Sequence, residues 1–119
     1  IDADGRLWVS TDQGSAWLKT GKADGLYGLE TQGAGRGTSK LFFRAPVGAE
    51  LCSPCFTADN QTLFLSVQHP ATDGVKSYPG FESDSTFEKP ATRWPDFKAG
   101  MPPRPSVVVI TKKGGGKIA

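Results

Sequence analysis

Short runs of apolar and β-branched residues, separated by glycine, proline and Asx-containing turns, recur along the whole chain. Such runs predict strands, and the 15 glycines and 9 prolines interrupt any helical periodicity. The single helical turn we expect lies near residues 73–76. The predicted strands are Leu7–Ser10, Gly25–Gln32, Lys40–Ala45, Leu51–Phe56, Leu63–Val67 and Ser106–Lys112. The pattern therefore predicts an all-β protein built from antiparallel sheets.

The run 48–70 is the most informative part of the chain because its pattern predicts one β-hairpin. Asp59 and Asn60 tolerate left-handed backbone and supply the turn, and a proline ends the second strand. Glu50 stands at one end of the run, and His69 stands at the other. A β scaffold presents chemistry at its rim in this way, so both residues are candidates for a functional site.

The turn chemistry of this hairpin also occurs near the start of the chain. Ala3–Ser10 and Ala58–Ser66 superpose with one extra residue in the second copy, and Leu7 and Leu63 lie about 56 residues apart, a repeat-like spacing. An Asp-Gly-x-Leu-Trp turn before a hydrophobic strand is typical of propeller blades. The alternative is two unrelated hairpins in a β-sandwich.

Chain length limits how much of a propeller the sequence could form. A propeller has about four to eight four-stranded blades, so 119 residues supply about one and a half to two of them. We therefore expect a partial propeller that belongs to a larger protein. Blade one is predicted at about 1–47 and blade two at about 48–119, with a long loop over 72–103.

Charge and hydropathy exclude two classes of partner. The chain has 14 Lys and Arg against 12 Asp and Glu, a net charge of +2. Outside the tail 112–117, which is expected to be a solvated turn, the basic residues are scattered, so we expect no nucleic-acid groove. No apolar run approaches about 18 residues, so no membrane span is expected.

Two cysteines, Cys52 and Cys55, form a C-x-x-C pattern that is found in redox and zinc proteins. In a strand, residues three apart lie about 10 Å apart on opposite faces, too far for a disulfide. A zinc site needs two more ligands, and His69 is the sole histidine. Two reduced, unbonded cysteines that fill the core are the expected outcome.

Several segments together resemble the C-terminal portion of the PhoX-type alkaline phosphatases. The most specific are Val-Gln-His-Pro at 67–70 and Pro-Arg-Pro-Ser-Val-Val-Val-Ile-Thr at 103–111. The turn and strand 4–12 are similar to the preceding blade of that family, so the resemblance covers nearly the whole chain. The other matching segments are 49–51, 54–59, 62–66, 94–97, 102 and 112–113.

The resemblance implies a six-bladed propeller that hydrolyses phosphate monoesters with a calcium and iron cluster in its channel. It also implies a periplasmic or secreted location, although a leader would lie upstream. The chain alone is expected to be inactive and need not bind metal. The alternative function is a non-catalytic propeller that serves as a binding or scaffold module.

We further expect the chain to self-associate through its sheet faces and edges, because two blades leave both outer faces without neighbours. Exchange of the C-terminal strand 106–112 is one route to such a dimer. The apolar residues expected to be exposed are Trp8, Leu41, Phe42, Phe64 and Val108.

Glu50 and Asp12 are the candidate metal ligands. Carboxylates are the ligands that calcium and ferric ions prefer, and Glu50 is similar to the glutamate of an Ala-Glu motif in the family. Asp12 is similar to the aspartate of a Thr-Asp-Gly motif, although Gln13 replaces that glycine. The alternatives are a surface glutamate at a strand start and a turn-capping aspartate.

His69 and Arg104 are the candidates for acid–base chemistry and for phosphate binding. Imidazole titrates near neutrality, and a guanidinium forks onto phosphate oxygens. In the resembled family, His-Pro is followed by Gly and an acid, whereas 71–73 here are Ala-Thr-Asp. The alternatives are a histidine that orders a loop and a solvated arginine in a proline-rich lead-in.

Overall fold

The computed structural model describes residues 1–81 and 83–118, and within them the strands form two three-stranded antiparallel sheets. Sheet I has the order β1-β2-β3 and sheet II the order β4-β5-β6. Every predicted strand is present within a few residues of its expected bounds, so the prediction of an all-β antiparallel fold is confirmed. The strands are β1 (Leu7–Ser10), β2 (Gly25–Leu29), β3 (Ser39–Arg44), β4 (Glu50–Phe56), β5 (Thr62–Gln68) and β6 (Ser106–Thr111).

Sheet II contains the hairpin predicted from the run 48–70. Asn60 adopts a φ of 58° in the turn, a left-handed conformation that asparagine tolerates. The register pairs Glu50 at the start of β4 with Gln68 at the end of β5. On the other side of β5, Val67 pairs with Ser106 at the start of β6. The beginning of β4, the end of β5 and the beginning of β6 therefore share one edge of the sheet.

The core lies between the two sheets and is made largely of aliphatic side chains. Full burial of one such side chain contributes roughly 1.5–3 kcal/mol, and Leu26, Leu63 and Leu65 are each fully buried, at 0% exposure. The buried residues of this core are Trp8, Leu26, Ala45, Ala49, Leu51, Leu63, Leu65 and Val67.

Trp8 corrects one expectation. It was predicted to be exposed, but it is buried because its ring packs 5.0 Å from that of Phe56 in sheet II and 5.1 Å from that of Phe42. Its indole Nε1 donates to Asp2 Oδ2 at 2.8 Å, which satisfies its polar edge. Val108 was also predicted to be exposed, yet it is partly buried against the core, because alternate residues of β6 face inward.

The outer faces of both sheets remain apolar. On sheet II, Phe64 pairs with Val109, and these two side chains are 40% and 60% exposed. Val107 on the same face is 62% exposed. On sheet I, Leu41 is exposed on this side, and Phe42 is exposed too, as predicted, although its ring packs against Trp8 on the core side. Strands with apolar residues on both faces are typical of sheets that pack against neighbours on either side.

The short helical elements differ from the sequence-based expectation. A 3-10 turn at Val75–Ser77 lies close to the expected turn, but a second one at Gly14–Ala16 and the helix α1 (Trp17–Thr20) were not predicted. A helix of 4 residues is too short to show a periodic pattern. Tertiary contacts fix it, since the ring of Trp17 stacks on that of Tyr78 with centroids 4.8 Å apart.

Both cysteines are free, which confirms the prediction that they are not bonded to each other. The expectation that both fill the core is wrong, because Cys55 is exposed and Cys52 is only partly buried. The register of β4 against β5 shifts between the two residues, and Ser53 adopts a φ of 52° there. A β-bulge of this kind turns side chains away from their regular alternation.

Candidate functional site at the rim of sheet II

The carboxylate and imidazole groups singled out from the sequence meet at the shared edge of sheet II. Glu50 begins β4, and His69 follows the last residue of β5, so the antiparallel register places both at the same rim. Asp12 from the segment after β1 and Asp73 from the turn after His69 complete the group. We call Asp12, Glu50, His69 and Asp73 the rim cluster.

Glu50 is held on both carboxylate oxygens. Cys52 Sγ donates to Glu50 Oε1 at 2.9 Å, and His69 Nε2 lies 3.3 Å from Oε2. The hydrogen bond from Cys52 is the largest cause that lowers the pKa of Glu50, the bond and charge of His69 act in the same direction, and burial opposes them. The side chain keeps 21% of its surface exposed, so the ionised carboxylate is accessible from the rim.

Asp12 lies beside Glu50 because the chain after β1 runs along the start of β4. Leu51 N donates to Thr11 O at 3.5 Å across the two sheets. The charge of Glu50 is the largest cause that raises the pKa of Asp12, with burial and further acidic neighbours acting in the same direction. Mutually repelling carboxylates favour a positive partner, either a proton or a bound cation.

The capping role weighed for Asp12 is performed by a different aspartate. Asp24 is buried, and its Oδ1 accepts from Gln13 N at 2.7 Å and from Thr11 Oγ1 at 2.6 Å. This carboxylate ties the segment after β1 to the start of β2. Within the described residues, the structure gives the exposed side chain of Asp12 no such hydrogen bond. Its carboxylate therefore remains accessible at the rim.

His69 lies in a turn with a strained backbone. His69 and Ala71 have φ values of 29° and 68°, which non-glycine residues rarely adopt. The carbonyl of Gly48 holds this turn, because it accepts from Thr72 N at 3.2 Å and from Asp73 N at 3.0 Å. The neighbouring imidazole Nδ1 lies 3.4 Å from the same oxygen. Strain that surrounding bonds maintain often accompanies a functional role.

The imidazole of His69 is bounded by hydrogen-bond acceptors. Nδ1 faces the Gly48 carbonyl, and Nε2 lies 3.3 Å from Glu50 and 3.8 Å from Asp73 Oδ2. Burial is the largest influence and works to lower the pKa of His69, but Glu50, Asp73 and the carbonyl together raise it above its ordinary value. The protonated ring, which donates from both nitrogens, therefore fits this setting best.

The rim cluster has the donor chemistry of a metal site without its complete geometry. Carboxylate oxygens suit calcium and iron, and imidazole suits iron. Among residues 1–81 and 83–118, however, no three or more His, Cys, Asp or Glu side chains are arranged to hold a metal ion. The described residues therefore offer some ligands for a metal and do not form the whole site by themselves.

Arg104, the candidate phosphate ligand, is paired with a carboxylate in the structure. Its Nε and Nη2 both donate to Asp96 Oδ2, at 3.0 and 2.7 Å. Arg104 lies just ahead of β6 and so approaches the same edge of sheet II as the rim cluster. This pair uses Nε and Nη2 and leaves Nη1, so it does not by itself prevent the guanidinium from binding phosphate, and the phosphate role remains a prediction.

Three residues at this site were given no functional role from the sequence. Asp73 was counted as a departure from the family pattern, yet it lies four positions after His69 and approaches its ring. Cys52 was expected to fill the core, and Gln68 was placed beside His69 at the end of the hairpin without a role of its own, although both bond within the site. The hairpin register could have revealed the roles of Cys52 and Gln68, because it pairs Glu50 with Gln68 and places Cys52 two residues further along the same strand.

The fold and the site define the class of the protein: an antiparallel β-sheet protein that gathers carboxylates and a histidine at one sheet rim. The chain belongs to the PhoX alkaline phosphatase family, because the family model described as alkaline phosphatase PhoX matches residues 1–71, more than half of its length. Asp12, Glu50 and His69 lie within the match, whereas Asp73 and Arg104 lie beyond it. Comparisons with curated proteins and with solved structures gave no significant match.

Proposed function

We propose that the chain is part of a metal-dependent alkaline phosphatase that hydrolyses phosphate monoesters. The observation that carries this proposal is the meeting of Asp12, Glu50 and His69 at one rim, all within the segment that matches the family. Three separate parts of the sequence supply these groups, and the two sheets bring them together. A purely structural rim would not require two neighbouring acids whose charges oppose each other.

The chain would contribute the C-terminal part of a β-propeller in this enzyme. Each three-stranded sheet corresponds to part of one four-stranded blade, with blade one over about 1–47 and blade two over about 48–119, including the long loop 72–103. The apolar outer faces support this arrangement, because neighbouring blades would cover them. Calcium and iron are the metals that the family resemblance indicates.

Each residue has a distinct task in this proposal. Glu50 and Asp12 supply carboxylate ligands, and ligands from elsewhere in the enzyme complete the metal site, which would polarise the phosphoryl group when loaded. His69 holds a proton beside Glu50 and can donate it to an ester oxygen. Arg104 is proposed as a phosphate ligand through the N–H donors that its pair with Asp96 does not use.

The same proposal includes the surroundings of the enzyme. Its substrates are small phosphate monoesters, and its location is periplasmic or secreted. We propose no nucleic-acid partner, because the basic residues outside the tail 112–117 are scattered along the sequence. No helix within the part of the chain described, 1–81 and 83–118, is long and apolar enough to cross a membrane.

Hydrolysis of p-nitrophenyl phosphate tests the proposal. We expect the 119-residue chain alone to show no turnover and the larger phosphatase that contains it to be active. A chelator should abolish that activity, and calcium with iron should restore it, because the proposed site depends on bound metal. Activity that survives complete metal removal, or turnover by the chain alone, would contradict the proposal. An enzyme that never hydrolyses phosphate esters would favour the binding or scaffold module.

Self-association of the isolated chain is a related prediction. Phe64, Val107 and Val109 form an apolar outer face on sheet II, and β6 is an edge strand. Sedimentation at increasing concentration should show dimers, and Val109→Lys should shift the population to monomer, because a charge on this face opposes its burial. The control is Thr111→Lys, on the same strand and exposed face but outside the apolar group. A wild-type chain that stays monomeric at high concentration would refute the prediction.

A further inference from the structure

Cys52 lies between two polar side chains at the rim of sheet II. Residues two apart on a strand share a face, so Cys52 stands beside Glu50 on β4, and Gln68 faces both from β5. The thiol donates to Glu50 Oε1 at 2.9 Å and accepts from Gln68 Nε2. The three side chains therefore form a continuous chain of hydrogen bonds from β5 back to the start of β4.

These bonds restrict the orientation of the Glu50 carboxylate. A glutamate side chain at a partly exposed strand start is free to populate several rotamers, and fixing it in one of them costs side-chain entropy. With Oε1 held by Cys52, Oε2 is directed at His69 Nε2, 3.3 Å away. Hydrogen bonds that orient a ligand residue commonly determine how well a site binds its metal.

We propose that Cys52, itself held by Gln68, is a positioning residue that orients the Glu50 carboxylate for the phosphatase reaction. This inference rests on the proposed function, because it assigns Glu50 to the metal site. Cys52 need not contact substrate or metal to act in this way. The other cysteine of the C-x-x-C pattern is not proposed to act in this way: Cys55 is exposed, and its Sγ lies 4.0 Å from the carbonyl oxygen of its neighbour Phe56.

Infrared spectroscopy of the S–H stretch tests the hydrogen bond without any metal or substrate. The Cys55→Ala chain shows the band of Cys52 alone, and we expect a lower frequency than for Cys55, since a carboxylate is a strong acceptor. Adding Glu50→Gln should move that band to higher frequency, because a neutral amide oxygen accepts more weakly. The Cys52→Ala chain, which shows only Cys55, is the control and should not respond to Glu50→Gln. An unresponsive Cys52 band would overturn the positioning role.

Calcium affinity of the phosphatase tests the consequence. Cys52→Ala should weaken affinity about tenfold, the range typical of residues that orient metal ligands. Cys52→Ser, which keeps a donor and an acceptor, should restore affinity close to the wild-type value, and Cys55→Ala should leave it unchanged. Equal affinities in Cys52→Ala and wild type would overturn the inference while leaving the proposed function intact. If Glu50→Gln itself leaves the metal content unchanged, Glu50 is not a metal ligand. The hydrogen bond from Cys52 to Glu50 would then have a structural role only.

Discussion

Glu50→Gln in the phosphatase is expected to lower kcat/KM at least about 100-fold, equivalent to about 2.7 kcal/mol of transition-state stabilisation. The substitution preserves the size of the side chain and removes its charge. It thus takes away the proposed carboxylate ligand and weakens the acceptor that faces His69 Nε2 at 3.3 Å. Bound calcium and iron, measured by elemental analysis, should fall together with the activity. Unchanged activity at full metal occupancy would show that Glu50 is not a metal ligand of the site.

Glu30→Gln is the matched control for this experiment. Glu30 is a partly exposed glutamate that directly follows β2, and its Oε1 accepts from Arg6 Nε at 3.1 Å. The control therefore makes the same chemical change in a surface ion pair outside the rim cluster. Such ion pairs contribute only about 0–1 kcal/mol to stability. Activity and metal content should remain at wild-type levels. A similar loss in both variants would indicate a general effect of charge rather than a role of Glu50.

Gly48→Ala is expected to lower the free energy of unfolding by about 3 kcal/mol or more, in part because the φ of 70° at Gly48 strains an alanine by roughly 1–2 kcal/mol. A Cβ at this position would also lie 2.7 Å from the backbone nitrogen of Thr72 and 2.9 Å from Val75 Cγ2. The turn that carries His69 would have to shift away from Glu50. Urea denaturation should show the loss of stability, and phosphatase activity should fall with it.

Gly33→Ala separates the strain at positive φ from the steric clash. Gly33 has a φ of 69°, nearly the value of Gly48, but a Cβ there would meet nothing within 4 Å. Gly33→Ala should therefore lower the free energy of unfolding only by the backbone strain of roughly 1–2 kcal/mol, and activity should be unchanged. If the two variants lose the same stability, the close packing of Gly48 against 71–75 contributes nothing, and the account of this turn is wrong.

Local pattern was sufficient to predict the strands and the two ends of the hairpin. Turn residues and short apolar runs determine where strands begin and end, and once β4 and β5 pair, Glu50 and His69 must share a rim. The core was harder to predict. Trp8 was expected to be exposed because no pattern shows which sheet covers which, and its burial depends on Phe56 in the other sheet.

The details of the site depend on backbone irregularities that the pattern of apolar residues does not reveal. The bulge between Cys52 and Cys55 turns one thiol outward and leaves the other at the rim, and its sequence signal is Pro54, because proline within a strand is found at edges and bulges. The turn after His69 uses left-handed backbone at a histidine and an alanine, where glycine would be the usual indicator. Asp73 therefore reaches the rim cluster by a route that propensity alone does not reveal.

Asn60 meets two requirements at once, which constrains what evolution can place there. The turn between β4 and β5 needs a residue that tolerates a φ of 58°. The same side chain accepts from Ala3 N and donates to Asp4 Oδ2, while its backbone carbonyl accepts from Ile118 N. Glycine would satisfy the backbone but lose both side-chain bonds. Because one buried amide joins the first turn of the chain, the hairpin and the C-terminal segment, the two sheets should melt in a single cooperative transition.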